Sequence, residues 1–185
     1  DAKVSFVPIL ADGSRADNDG LRRPWLGEGR LGNGVKHFAV VVAEELEAEL
    51  EPGRYAVVAS HGPEWSIAER EITVASGQAM PLSLSLVHEV DTAGWISGDF
   101  HLHAEASFDS GMVFEERLKR VLIEGVDLAI ATDHDIIADY GPSLRNLGAQ
   151  NRLTTGSGVE LSTLELGHFI AFPLSFDQSI IPDHG

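Results

Sequence analysis

The chain contains no cysteine. Disulfides, thiolate zinc sites and cysteine nucleophiles are therefore excluded, and the redox compartment cannot be read from cysteine usage. Positive charge is scarce: 13 Lys and Arg stand against 29 Asp and Glu, a formal net charge of −16. That balance argues against nucleic acid and against an anionic membrane as partner, because both want a basic surface. Acidity of this kind serves solubility. No apolar run is long enough to span a membrane, and no signal peptide is visible at the start. Opening on Asp1 in mid-strand style is what a processed or trimmed start would give. What remains is an ordinary folded composition: 185 residues, 43% hydrophobic and 23% charged, enough for one large domain or two small ones.

The first half reads as β. Residues 4–10 (VSFVPIL), 35–43 (VKHFAVVVA), 54–60 (RYAVVAS), 67–75 and 82–90 (LSLSLVHEV) have β-branched or alternating patterns. Polar and glycine-rich turns separate them, and residues 21–34 read as irregular loop. Short strands at such spacing predict an antiparallel β-sandwich over residues 1–92. His37, His61 and His88 are isolated there and read as surface or packing residues. The run Glu44, Glu45, Glu47, Glu49, Glu51 reads as a solvated face.

The pattern changes after residue 90, and residues 91–94 (DTAG) read as a hinge. In the strand Gly98–Asp99–Phe100–His101–Leu102–His103, residues two apart share a face. This predicts His101 and His103 facing one site with Asp99 behind them, and Phe100 and Leu102 facing a core. Paired imidazoles suit Zn, Fe, Mn and similar ions, but a lone His-x-His in a chain with eight histidines is a common coincidence. Apolar residues at 114, 118, 121 and 122, with Gly125 as C-terminal cap, predict a helix over residues 114–125. Residues 126–131 form a near-continuous apolar run, as in a strand buried on both faces. Strand, helix and strand at these lengths predict a parallel pair. The second strand ends in Thr132–Asp133–His134–Asp135, where parallel α/β folds carry functional groups. Residues 136–140 and 143–150 read as helix interrupted by Pro142, residues 153–161 as a third strand carrying Glu160, and residues 169–174 as a fourth with His168 at its entrance.

His101, His103, Asp109, His134, Glu160 and His168 thus lie at strand ends or in adjoining loops. The segments GDFHLHAEASFDS, LAIATDHD, GSGVELS and GHFIAF, in this order, resemble the PHP (polymerase and histidinol phosphatase) superfamily of metal-dependent hydrolases. The wording GWISGDFHLH, ATDHD, GVELST and GHF, after a segment ending in VHEVDT, is most similar to its CehA/McbA, or carbaryl hydrolase-like, branch. AELEPGRYAVVASHGPEW likewise resembles a prealbumin-like or carboxypeptidase-regulatory accessory sandwich. The resemblance implies a distorted (β/α)7 barrel, of which residues 93–185 would be the first part. It implies that His101 and His103 hold one divalent metal, that Glu160 bridges it to a second held by His168, and that Asp109 and His134 serve a third position. Asp99 and Asp133 would orient ligand histidines from behind. Two or three Mn, Zn or Fe ions are implied, with metal-bound water as nucleophile and no side chain in that role.

The implied activity is hydrolysis of a small-molecule phosphoester, or of a related ester, carbamate or amide. The alternative is a non-catalytic binding or interaction module with an incomplete or vestigial metal site. Arg117, Arg120, Arg145 and Arg152 read as surface charge rather than a phosphate clamp. A missing C-terminal segment would leave strand faces open to self-association. The sandwich hints by analogy at an extracytoplasmic setting; substrate and compartment are otherwise unread.

Overall fold

In the computed structural model, residues 1–15, 37–42, 47–177 and 182 are described. The loop reading for residues 21–34, and Glu44 and Glu45 of the acidic run, lie outside them. The chain divides into two compact units, Asp1–Asp91 and Thr92–Gly185.

The first unit is all-β among the described residues. Strands β1 (Ala2–Pro8), β2 (His37–Val41), β3 (Gly53–Ser60) and β4 (Ala68–Val74) form one antiparallel sheet in the order β2-β1-β3-β4. Their β-branched and aromatic residues suit a pleated, half-buried surface. Phe6, Tyr55 and Val57 are buried together on one face, with Val4, Ile72 and Val74 packed around them. Residues 82–90, expected as a strand, join no ladder among the described residues. The alternation is real, because Leu82 and Leu84 pack against the Phe6 cluster while Ser83 and Ser85 face solvent. Apolar burial alone satisfies that pattern. An isolated antiparallel bridge between Trp65 and His88 ties the segment down, with Ser66 N–H donating to the Val87 carbonyl at 2.8 Å and Glu89 N–H to the Glu64 carbonyl at 2.9 Å. Among the described residues the first unit shows one four-stranded antiparallel sheet with a packed extended segment, an all-β arrangement compatible with a sandwich.

The second unit carries strands β5 (Gly98–Leu102), β6 (Leu128–Ala131), β7 (Thr154–Thr163) and β8 (Gly167–Leu174), in that order across one sheet. β5, β6 and β7 are parallel, and β8 returns antiparallel to β7. Helix α1 (Phe114–Ile123) connects β5 to β6, and α2 (Gly141–Asn146) connects β6 to β7. α1 buries Leu118, Val121, Leu122 and Ile123, each stabilising the fold by about 2 kcal/mol. Gly125 follows at φ 70°, and its N–H bonds the Leu122 carbonyl while Val126 N–H reaches the Val121 carbonyl. This paired closure satisfies the last carbonyls of the helix and needs the left-handed residue that glycine supplies. Pro142 does not interrupt a helix; it lies in the first turn of α2, where a missing N–H costs nothing, and residues 136–140 are not helical.

α1 and α2 pack against one another, so both crossovers cover one face of the sheet. Phe100 does not enter the core as expected. It is 44% exposed and stacks on Phe172 at 5.2 Å, whereas Leu102 is buried. The cause is a register shift between Asp99 and Leu102, which breaks the strict two-residue alternation on which the expectation rests. Thr132 stitches the ladder closed beyond the shift. Its hydroxyl accepts from Leu102 N–H at 2.9 Å, and its own N–H donates to the Leu102 carbonyl at 2.9 Å.

Candidate metal centre

Parallel strands deliver their C-terminal ends to one edge of a sheet, and an antiparallel neighbour begins there. His101 and His103 leave β5 at that edge, and His134 follows β6. Glu160 lies on β7 and His168 opens β8. His134 also continues the ladder, bridging in parallel to Glu160. Asp135 N–H donates to the Glu160 carbonyl at 2.9 Å, and Glu160 N–H donates to the Asp133 carbonyl at 3.2 Å.

The Glu160 carboxylate is the hub. Its Oε2 lies 2.8 Å from His101 Nε2, 2.9 Å from His103 Nε2 and 3.8 Å from His134 Nε2. Its Oε1 lies 2.8 Å from His168 Nδ1. Asp109 Oδ2 lies 3.6 Å from His134 Nε2, and Asp109 Oδ1 lies 3.3 Å from His103 Nδ1. The side chains of Glu160 and His134 are each 6% exposed, whereas those of His101 and His168 are 55% and 50% exposed, so the cluster has a buried floor and an open side. All six predicted ligand residues meet here.

Burial alone pushes the Glu160 carboxyl up. Hydrogen bonds from His101 and His168, with the His134 and His101 charges, outweigh it and hold the carboxyl below its ordinary range. Asp109 is also held low, first by the Ser107 hydroxyl and then, against its burial, by the His103 and His134 charges.

The two carboxylates expected behind the histidines act differently. Asp99 Oδ1 accepts from the backbone N–H of His101 at 3.1 Å. Asp133, fully buried, accepts from Ala104 N–H at 2.7 Å and from the Tyr140 hydroxyl at 2.9 Å. It anchors the chain just after His103 rather than bonding a ligand ring. Burial raises the Asp133 carboxyl despite these bonds, and burial followed by the Asp133 charge raises the Tyr140 phenol. Tyr140→Phe would leave a buried carboxylate short of a donor. It is expected to destabilise the second unit by about 2 kcal/mol in urea unfolding; an unshifted midpoint would show that Asp133 does not depend on the hydroxyl.

Several further residues support the cluster. Ser162 Oγ lies 2.8 Å from His134 Nδ1, and Ser162 N–H donates to Asp135 Oδ1 at 2.8 Å. Asp135 sits at φ 55°, turning the chain directly after His134. Phe108, 77% exposed, stacks on the His134 ring at 4.6 Å. Arg117 Nε donates to the His103 carbonyl at 2.7 Å, which makes it a backbone support.

Three groups could hold a metal ion: His101, His103 and Glu160; His103, Asp109 and His134; and His134, Glu160 and His168. Ligand atoms sharing one ion at about 2.1 Å lie about 3.0–3.4 Å apart for octahedral to tetrahedral angles. Spacings of 2.8 to 3.8 Å around Glu160 bracket that range. Nitrogen and carboxylate donors together suit a divalent transition ion. Among the described residues no helix is long and apolar enough to cross a membrane. No protein-family model, curated protein or solved structure matches this chain.

Proposed function

We propose that the second unit carries the centre of a metal-dependent hydrolase of the PHP superfamily, in its CehA/McbA branch. One observation carries the reading: a single buried carboxylate, Glu160, has imidazole nitrogens of His101, His103 and His168 within 2.9 Å and that of His134 at 3.8 Å. An isolated ion pair needs one histidine; four converging on one carboxylate is an arrangement for cations. Mixed imidazole and carboxylate donors favour Mn, Fe or Zn, and the overlap of the three groups favours two or three ions. The β5-β6-β7 parallel core with its helical crossovers is compatible with the opening of a (β/α)7 barrel.

When bound, such ions lower the pKa of coordinated water and polarise a phosphoryl or carbonyl oxygen. The chain's own residues do the rest. Glu160 supplies the negative charge that allows cations to sit side by side. Asp99, Asp133 and Thr132 hold the backbone of the His101–Ala104 segment in place. The exposed flank formed by His101, His168 and Asp109 is where a small phosphoester, or a related ester, carbamate or amide, would approach.

The test is metal content. Protein purified without chelators is expected to carry Mn, Fe or Zn near stoichiometrically, and the His101→Ala/His103→Ala double variant to lose it. The loaded protein should then hydrolyse aryl phosphates, esters or carbamates. Metal without hydrolysis across that panel would favour a binding module instead, and absence of metal from the parent would end the reading.

A further inference from the structure

We infer that Ser107 is the positioning residue that fixes the proton and ring orientation of His103, committing His103 Nε2 to be the ligand atom. The inference rests on the metal reading above but stands on its own geometry. Ser107 is 3% exposed, on the loop after β5. Its Oγ has three partners: His103 Nδ1 at 3.0 Å, Asp109 Oδ1 at 2.7 Å and the backbone N–H of His134 at 3.1 Å.

A hydroxyl has one proton to give and two positions at which to accept. The His134 N–H can only donate, so it takes one accepting position. The Asp109 carboxylate can only accept, so it takes the proton. His103 Nδ1 is left with the second accepting position and must therefore carry a hydrogen.

The consequence appears on the other side of the ring. With the proton on Nδ1, a neutral His103 turns a bare Nε2 toward Glu160 Oε2 at 2.9 Å. Two acceptors at that distance repel one another unless a proton or a shared metal ion lies against both. One hydroxyl thus fixes the His103 tautomer, holds the Asp109 carboxylate and receives the backbone of His134, a residue from each of the three candidate groups. Hydrogen bonds from outside the ligand set commonly orient metal-binding imidazoles in this way.

The test reads the ring nitrogens directly. Protein labelled with 15N at histidine is examined by long-range proton–nitrogen correlation, without metal and with zinc, with His103 assigned from the His103→Gln spectrum. The expected result is a proton on His103 Nδ1 in both states and a zinc-induced shift confined to Nε2. A bare Nδ1, or a zinc shift on Nδ1, overturns the inference. Ser107→Ala is expected to weaken zinc binding about 10- to 100-fold, and Ser107→Thr, which keeps the hydroxyl, to restore it. Equal losses in both variants, or no loss in Ser107→Ala, also overturn it. A parent that binds no zinc, yet carries the Nδ1 proton and loses it in Ser107→Ala, would uphold the role of Ser107 while ending the metal reading.

Discussion

Glu160→Gln is expected to weaken divalent metal binding by at least about 100-fold, read by competition with a chromogenic chelator. Substituting a single residue behind a metal ligand already costs about 10- to 100-fold, and Glu160 belongs to two of the three candidate groups. Glutamine keeps the shape of the side chain and one accepting oxygen, so the sheet is expected to persist. What disappears is the negative charge between His101, His103 and His168, without which two cations a few ångströms apart repel one another. Glu89→Gln, an exposed acid in the first unit, should leave affinity unchanged. Equal affinity in Glu160→Gln and the parent would sink the bridging role, whatever metal is bound.

Gly158→Ala is expected to destabilise the second unit by about 3 kcal/mol, near the top of the range for overpacking. A Cβ at position 158 would meet the Ala171 carbonyl oxygen at 2.8 Å, Phe172 Cβ at 3.1 Å and the Ala131 carbonyl oxygen at 3.2 Å. Those atoms belong to both neighbouring strands, so β7 cannot shift away from one without pressing on the other. Gly156 supplies the contrast. Its Cβ would meet only Ile130 Cδ1, at 2.7 Å, and the far end of a flexible side chain can rotate aside. Gly156→Ala should therefore cost about 1 kcal/mol or less. Thermal or urea unfolding of the two variants side by side decides the matter, and equal losses would show that β6 and β8 do not clamp β7 at Gly158.

How far the sequence could be read depends on which force sets each feature. α1 was legible because Phe114, Leu118, Val121 and Leu122 repeat at helical spacing and Gly125 closes the end. The parallel pair β5 and β6 followed from strand, helix and strand lengths. That the six ligand-type residues would come together was expected from the four ordered segments that carry them and from what their resemblance implies. The orientation of Phe100 was not, because a register shift in the strand cancels the two-residue alternation. Residues 82–90 misled for the converse reason: their alternation reports burial, and burial does not require a ladder partner. Ser107, Ser162 and Tyr140 left no trace, since a single hydroxyl has no period. What Asp133 does was hidden for a related reason, because its partners are a backbone N–H and a phenol seven residues on.

The antiparallel return of β8 also bears on the order in which the centre assembles. Glu160 and His168 are eight residues apart on one hairpin, whereas His101 and Glu160 are separated by 59. Hairpins close on a timescale of about 1–10 μs, while contacts between segments far apart in the chain come later and more slowly. The β7–β8 half of the centre is thus expected to form before β5 docks. The approach of His101 and His103 to Glu160 reports completion of the whole sheet. Zinc added during refolding should accelerate little of the hairpin step and trap the last one, so that capture of the ion becomes a clock for the docking of β5.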